Sequence, residues 1–186
     1  MMSLIPAFKP GWYNAWLGTI PLMLTMVILF ILNKKATERA MDMSAYTVRE
    51  KIRTVVTTLI FFGAVLYSIG LPLQWGTMWF YIGLIIYACG CIPYIIGTVN
   101  FASTPRNEPI VKGVYTISRN PMYFFSALIL LGIGIAGASW LMIVLVVLYA
   151  VLNHPTVLAE ERFCSDRYGA PYRTYMRNVP RYLLFF

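Results

Sequence analysis

The sequence predicts an all-α membrane protein with five transmembrane helices and short interfacial helices at its C-terminal end. Three observations predict it. Apolar residues make up 59% of the 186 and charged residues only 12%, with mean hydropathy +0.68, against about 45–50% and about 25% in a soluble domain. Charge-free runs of membrane-crossing length recur along the chain. The charges between them fall almost wholly in alternate connections, as the positive-inside rule requires.

The elements follow in order. Residues 12–32 carry no charge and meet the roughly 20 residues a span needs, with Trp12 and Trp16 suited to the interfacial belt. Residues 33–53 form a charged loop expected to hold a surface helix. Residues 54–71 make the second span, 72–76 an uncharged turn, and 77–99 the third span, with Pro93 expected to kink it near its end. Gly76, Gly83, Gly90 and Gly97 recur every seven residues and would line one seam where a neighbouring helix approaches closely. Residues 100–120 are a polar linker. From Pro121 to His154 the chain is again uncharged. One helix over that run would be about 51 Å long, too long for a hydrocarbon core of about 30 Å. A tight helical hairpin breaking near Gly137, among Gly132, Gly134 and Ser139, gives spans 121–137 and 138–154.

Charge supports five spans over four. Six lysines and arginines lie in 33–53, three in 100–120 and five after 154, leaving only Lys9 on the other side, and all seven acids join the basic side. The reading is a single membrane domain over 1–186. Its N-terminus is outside, and a cytoplasmic region is built from 100–123 with 155–186. Beyond His154, residues Leu158, Glu161, Arg162, Ser165 and Tyr168 keep helical spacing, Gly169 breaks it, and Pro171 suits the first position of a second short helix. Tyr168, Tyr172 and Tyr175 share a face beside arginines, which suits a helix at headgroup depth.

Much chemistry is excluded. The net charge of +8 sits beside apolar spans, a pattern for topology and anionic lipids rather than nucleic acid. No charge lies inside a span, against an ion or proton pathway, and no inverted repeat is visible. There is no P-loop, GxSxG, HExxH or GxGxxG motif. Cys89, Cys91 and Cys164 form no CxxC pair and read as packing residues, with no metal-ligand spacing. His154, the single histidine, reads as an interface or capping residue. The first apolar run exceeds a signal-peptide core and is followed, not preceded, by Lys34 and Lys35, so it reads as a span.

Two polar clusters remain, and the hairpin returns the second to the first. One runs from Gly113 through Tyr115, Arg119, Asn120 and Pro121 to Tyr123; the other holds Glu160 and Glu161, with Tyr168, Gly169, Tyr172, Tyr175, Val179 and Pro180 behind. Asn120 suits an N-cap and Pro121 the first helical position. An arginine beside a helix N-terminus is an anion site. Two readings stand. Arg119 and Glu161 pair to close the helix ends, or the clusters bind a zwitterion, its carboxylate at Arg119 and its ammonium at Glu160 or Glu161, between Tyr115 and Tyr123.

The pattern Gly113-x-Tyr115-x-x-x-Arg119-Asn120-Pro121-x-Tyr123, then Glu160-Glu161, Tyr168-Gly169 and Val179-Pro180, resembles the isoprenylcysteine carboxyl methyltransferase family in its prokaryotic integral-membrane form, over roughly residues 75–183. Asn120 stands where that family has a histidine. The resemblance implies S-adenosylmethionine as cofactor and S-adenosylhomocysteine as product. By position, Glu108, Pro109, Ile110 and Val111 would line the adenosine with Tyr115 beside them. Arg119, Asn120, Pro121 and Tyr123 would hold the methionine end, and Glu161 would take its ammonium with Glu160 in support. Arg119 and Glu161 would position the reactants, and no general base is named. The acceptor would be a lipid-like or prenylated carboxylate entering from the bilayer. Two rivals are a nicotinamide-dependent sterol-type reductase, which shares the C-terminal pattern, and a non-enzymatic membrane scaffold. The adjacent glutamates favour the methyltransferase.

Overall fold

A computed structural model describes residues 2–4, 6 and 8–183. Residues 1, 5 and 7, and 184–186 at the end of the expected cytoplasmic tail, lie outside the described residues. Every regular element among the described residues is helical: α1 (Ile20–Leu32), α2 (Lys34–Ala40), α3 (Val48–Ile69), α4 (Met78–Ser103), α5 (Pro121–Ala136), α6 (Trp140–Tyr168) and α7 (Ala170–Asn178), with single 3₁₀ turns at Ala15–Thr19 and Gly113–Thr116.

Local chemistry moves several boundaries from their expected places. The first apolar run becomes α-helix only from Ile20. Upstream of it, the Asn14 side-chain amide donates to the carbonyls of Lys9 (2.6 Å) and Ile69 (2.9 Å), and the Ala15 N–H donates to Leu71 O (2.9 Å). Those bonds lay the segment across the end of α3. At the other end α3 starts at Val48, before the expected residue 54, because Thr47 and Glu50 form a reciprocal capping box that satisfies two otherwise orphaned N–H groups. Pro93 lies inside α4, which continues to Ser103 and absorbs the start of the expected linker. Ser139 caps α6 by accepting from the Met142 N–H at 3.2 Å. α6 then runs without interruption through Pro155 to Tyr168, so the residues expected to form a separate interfacial helix continue the last apolar helix. Gly169, at φ +64°, turns the chain into α7, where Pro171 takes the second rather than the first position.

Among the described residues α3, α4 and α6 are each long and apolar enough to cross a membrane, and the first apolar run with the bent α2 makes a fourth crossing if counted as one span. α5, at 16 residues, is apolar but shorter than the roughly 17 residues of the shortest spans. The count read from length alone is thus three, or up to four, rather than five.

The tightest packing is α4 along α5. A Cβ on Gly83 would lie 2.4 Å from Ala136 N and 2.5 Å from Gly132 O, and one on Gly132 would lie 2.6 Å from Tyr87 N, so the two backbones touch there. Gly90 and Gly97 extend the same seam. Gly76 does not belong to it: it lies in the turn before α4 at φ +76° with nothing close. α3 and α5 both pack on α6, whereas α1 leans on α4.

The bundle has two chemically different ends. At one, the turn before α4 meets the α5–α6 turn (Gln74 N–H to Ala136 O, 2.9 Å) and the N-terminal strip (Ser3 N–H to Ala138 O, 3.0 Å). At the other, ion pairs join α2, the loop after it and the start of α3 to the loop after α4 and the last turns of α6. Both polar clusters lie at this second end.

Candidate active site

The motif loop is held from two sides. Asn100 at the end of α4 accepts the Val114 N–H on its Oδ1 at 3.3 Å, and α7 with the residues after it stitches the loop from below. The Arg119 N–H donates to Pro180 O (2.9 Å), Ser118 Oγ donates to Arg181 O (3.0 Å), and the Tyr175 hydroxyl donates to Tyr115 O (2.6 Å). The Gly113–Tyr123 and Tyr168–Pro180 motifs therefore form one unit, although some 60 residues of chain separate Tyr115 from Tyr175.

At its centre lies Glu161, only 3% exposed in its side chain. Its Oε1 accepts from Asn120 Nδ2 at 2.8 Å and lies 3.3 Å from Arg119 Nε, a contact of opposite charges without hydrogen-bond alignment. Its Oε2 accepts from Arg181 Nε (3.1 Å) and Nη2 (3.0 Å). Arg119 also donates through Nη1 to Met176 O at 2.8 Å. Both oxygens of Glu161 are occupied by the chain itself. Asn120 stands in the N-cap position of α5 but makes no cap bond; its amide is spent on Glu161, which corrects its expected capping role. The pairing of Arg119 with Glu161 is present, and Arg181 completes it.

Glu160, one residue away, points elsewhere. It is half-buried, lines a cavity, and its Oε2 has no hydrogen-bond partner among the described residues. It lies past His154, beyond the uncharged part of α6. Burial raises its carboxyl above the usual range, the Tyr123 hydroxyl and Arg39 partly offset this, and the neighbouring Glu161 charge adds to it. A carboxylate in such a place is costly until a cation joins it.

The cavity has a volume of about 110 Å³. Ile110, Tyr115, Arg119, Asn120 and Tyr123 line one side, and Glu160, Phe163, Cys164, Tyr168, Tyr172 and Tyr175 line another. Burial raises the hydroxyls of Tyr115, Tyr172 and Tyr175 and pushes the Cys164 thiol up to about 12, so at neutral pH these four groups are uncharged. The third wall comes from α2 and the loop after it, through Arg39, Met43 and Tyr46. An apolar groove of about 220 Å³, lined by Phe30, Phe61, Tyr94 and Tyr149 among others, shares Ala40, Thr54, Tyr123 and Thr156 with the cavity.

The structure thus brings together Ile110, Tyr115, Arg119, Asn120, Tyr123 and Glu160 of the expected site. Glu108, Pro109, Val111, Pro121 and Glu161 do not line the cavity. Glu108 and Val111 are exposed, and the carbonyl of Glu108 accepts from Arg39 Nη2 at 2.9 Å. Pro121 packs near Gly97 on α4. The Tyr168–Tyr172–Tyr175 face, expected at headgroup depth, turns inward: Tyr172 and Tyr175 are buried. Arg39, Met43, Tyr46 and Arg181 were not anticipated; for Arg181 the only cue was its place after Val179-Pro180. His154 stands apart, with its Nδ1 3.2 Å from the Tyr182 hydroxyl.

A polar, carboxylate-bearing cavity at one end of a bundle of apolar helices, sharing four residues with an apolar groove, is the candidate site of a membrane protein. The family model for phospholipid methyltransferases matches residues 65–171. That is more than half of the chain, which therefore belongs to this family, the one that contains the isoprenylcysteine carboxyl methyltransferase-like membrane enzymes. The protein is accordingly a membrane methyltransferase, which sets aside the reductase and scaffold readings. Searches of curated proteins and of solved structures found no significant match.

Proposed function

We propose that this chain is an integral-membrane, S-adenosylmethionine-dependent O-methyltransferase acting on the carboxylate of a lipid-linked, isoprenylcysteine-like acceptor at the cytoplasmic face. The observation that carries the reading is Glu160: an unpartnered carboxylate oxygen beside a tyrosine-walled cavity built from the family's own motif residues. Methyltransferases of this family use S-adenosylmethionine in general, and that cofactor carries one more positive than negative charge, which suits Glu160, the acid without an ion pair among the described residues lining the cavity. Glu160 would take the ammonium, Arg119 the carboxylate, and Tyr115, Tyr172 and Ile110 the flat adenosine. Glu161 serves as the clamp that fixes Arg119. When bound, the cofactor supplies an electrophilic methyl group on a sulfonium.

The chain's task is then to bind, align and exclude water. A carboxylate acceptor, with a reference pKa of about 3.3–3.7, is already ionised, so no residue must remove a proton. The chain's single histidine, His154, lies outside the cavity lining, beside Tyr182. The apolar groove that meets the cavity at Thr54, Tyr123 and Thr156 gives a lipid chain somewhere to lie while its head reaches the cavity. The five-span topology, N-terminus outside, belongs to the same proposal: fourteen of the fifteen basic residues fall on the side that holds the cavity. In it α5 is a short crossing completed by Gly137–Ser139.

The family's description favours a second acceptor, a phospholipid amine. An amine must shed a proton, and in this second reading Glu160, held above the usual carboxylate range, would accept it in place of pairing with the cofactor's ammonium. The deciding experiment incubates the protein in nanodiscs with methyl-labelled S-adenosylmethionine and either a prenylated cysteine or phosphatidylethanolamine. Base-labile label on the prenylcysteine supports the ester; base-stable label on the phospholipid supports the amine; label on neither overturns both acceptors.

A further inference from the structure

The wall made by α2 and the following loop lies wholly outside the family match and carries none of its motif, yet it closes the cavity. Its attachments differ in kind from those of the other walls. α4, α5 and α6 are packed together through a shared apolar core. The 34–47 segment is held at its far side by ions: Asp42 Oδ2 accepts from Arg106 Nη2 (3.1 Å) and Arg167 Nη1 (2.9 Å), and Glu38 accepts from Arg106 (3.0 Å), while Arg162, paired with Glu50 at the start of α3, reaches the Ala45 carbonyl (3.4 Å). Both its ends are capped turns, at Asn33, whose Oδ1 accepts the Ala36 N–H, and at Thr47. Cavity size adds an independent argument. About 110 Å³ falls well below the roughly 300–1,000 Å³ of ordinary ligand sites, so one wall must yield to admit a nucleoside-bearing cofactor. The ionic wall is the one that can do so without unpacking the core.

We propose that residues 34–47 are a cofactor lid, latched by Asp42 to Arg106 and Arg167, which opens to admit S-adenosylmethionine and release S-adenosylhomocysteine; the identity of the ligand, though not the lid itself, rests on the function proposed above. Two lid residues face the interior. Arg39 donates to the Tyr168 hydroxyl (3.0 Å) and lies over the Phe101 ring at 5.4 Å. Tyr46 is a close electrostatic neighbour of Glu160 and Cys164. Arg39 and Tyr46 therefore act as positioning residues, shielding Glu160 from water when the lid is shut.

Cys164 supplies the test, because it lines the cavity beneath the lid. The full-length protein with Cys89 and Cys91 replaced by alanine is placed in nanodiscs, and alkylation of Cys164 by a maleimide is timed. Asp42→Asn, which removes both partly exposed pairs of the latch, should speed alkylation roughly three- to tenfold, and Arg167→Gln, which removes one, roughly two- to fivefold. Both variants should keep the parent's thermal midpoint. Radiolabelled S-adenosylhomocysteine should leave both variants faster by a similar factor. Unchanged alkylation in both variants overturns the lid, as does faster alkylation accompanied by a matching fall in the midpoint, which would mean general loosening. Faster alkylation with no protection of the parent by saturating S-adenosylhomocysteine upholds the lid and overturns the cofactor assignment instead.

Discussion

Replacing Glu161 by alanine should unfold the site rather than merely empty it. The side chain is the shared partner of Asn120, Arg119 and Arg181, and both Glu161 and Arg119 are almost completely shielded, 3% and 4% exposed in their side chains. Removing the carboxylate strands the Arg119 guanidinium in a buried position with only the Met176 carbonyl for company. Breaking a buried pair from one side costs about 3–5 kcal/mol. For a chain of this size, at about 2–4 °C per kcal/mol, that is a fall of roughly 6–20 °C in the unfolding midpoint. Glu160→Gln is the informative contrast. It removes a charge whose Oε2 has no partner, so the midpoint should hold or rise while S-adenosylhomocysteine binding is lost. Differential scanning fluorimetry in detergent, beside calorimetric binding, reads both quantities. A Glu161→Ala protein that keeps its midpoint within about 2 °C, at most about 1 kcal/mol on that scale, yet cannot bind would refute the clamp and return Glu161 to the ligand.

Three further outcomes are expected. Gly83→Ala should cost about 1–3 kcal/mol or more by overpacking, since its methyl would meet the α5 backbone at 2.4–2.5 Å. Gly76→Ala should cost only the roughly 1–2 kcal/mol of a left-handed residue, and chemical denaturation of the two variants compares them. The Glu160 carboxyl is raised in the folded protein, so its protonated form favours folding below its unfolded value near 4.5. That contribution is lost as pH rises through the higher folded value. The ligand-free midpoint should therefore decline with rising pH above about 4.5, and Glu160→Gln should flatten that dependence in a pH series of thermal melts. Thr156→Trp, at the passage between cavity and groove, should retain S-adenosylhomocysteine binding but abolish methyl transfer to a lipid acceptor, measured by label incorporation.

Much of the lining of the candidate site was legible in the sequence because it is written in short motifs. Tyr115, Arg119, Asn120, Tyr123 and Glu160 were all anticipated, and the return of the chain through a break near Gly137 explains why they meet. What each glutamate does was not legible. Adjacent residues on a helix point about 100° apart, and only the fold decides that Glu161 turns to Arg119 and Arg181 while Glu160 turns to the cavity. Spacing placed Tyr168, Tyr172 and Tyr175 on one face but could not say that the face turns inward. The lid escaped because its partners are remote: Asp42 reaches Arg106 and Arg167 across 64 and 125 residues, with no local pattern to mark them. The start of α1 was misplaced for a similar reason, since the bonds from Asn14 to the end of α3 are long-range.

The central claim is that the cavity beside Glu160 holds S-adenosylmethionine. Its most direct test is isothermal calorimetry of the purified, monodisperse protein with S-adenosylhomocysteine, run in parallel with NADPH and repeated on Glu160→Gln. The account predicts saturable binding of S-adenosylhomocysteine alone, absent in a Glu160→Gln protein that is still folded. Binding of NADPH alone, or binding of neither ligand by the folded parent protein, would contradict it.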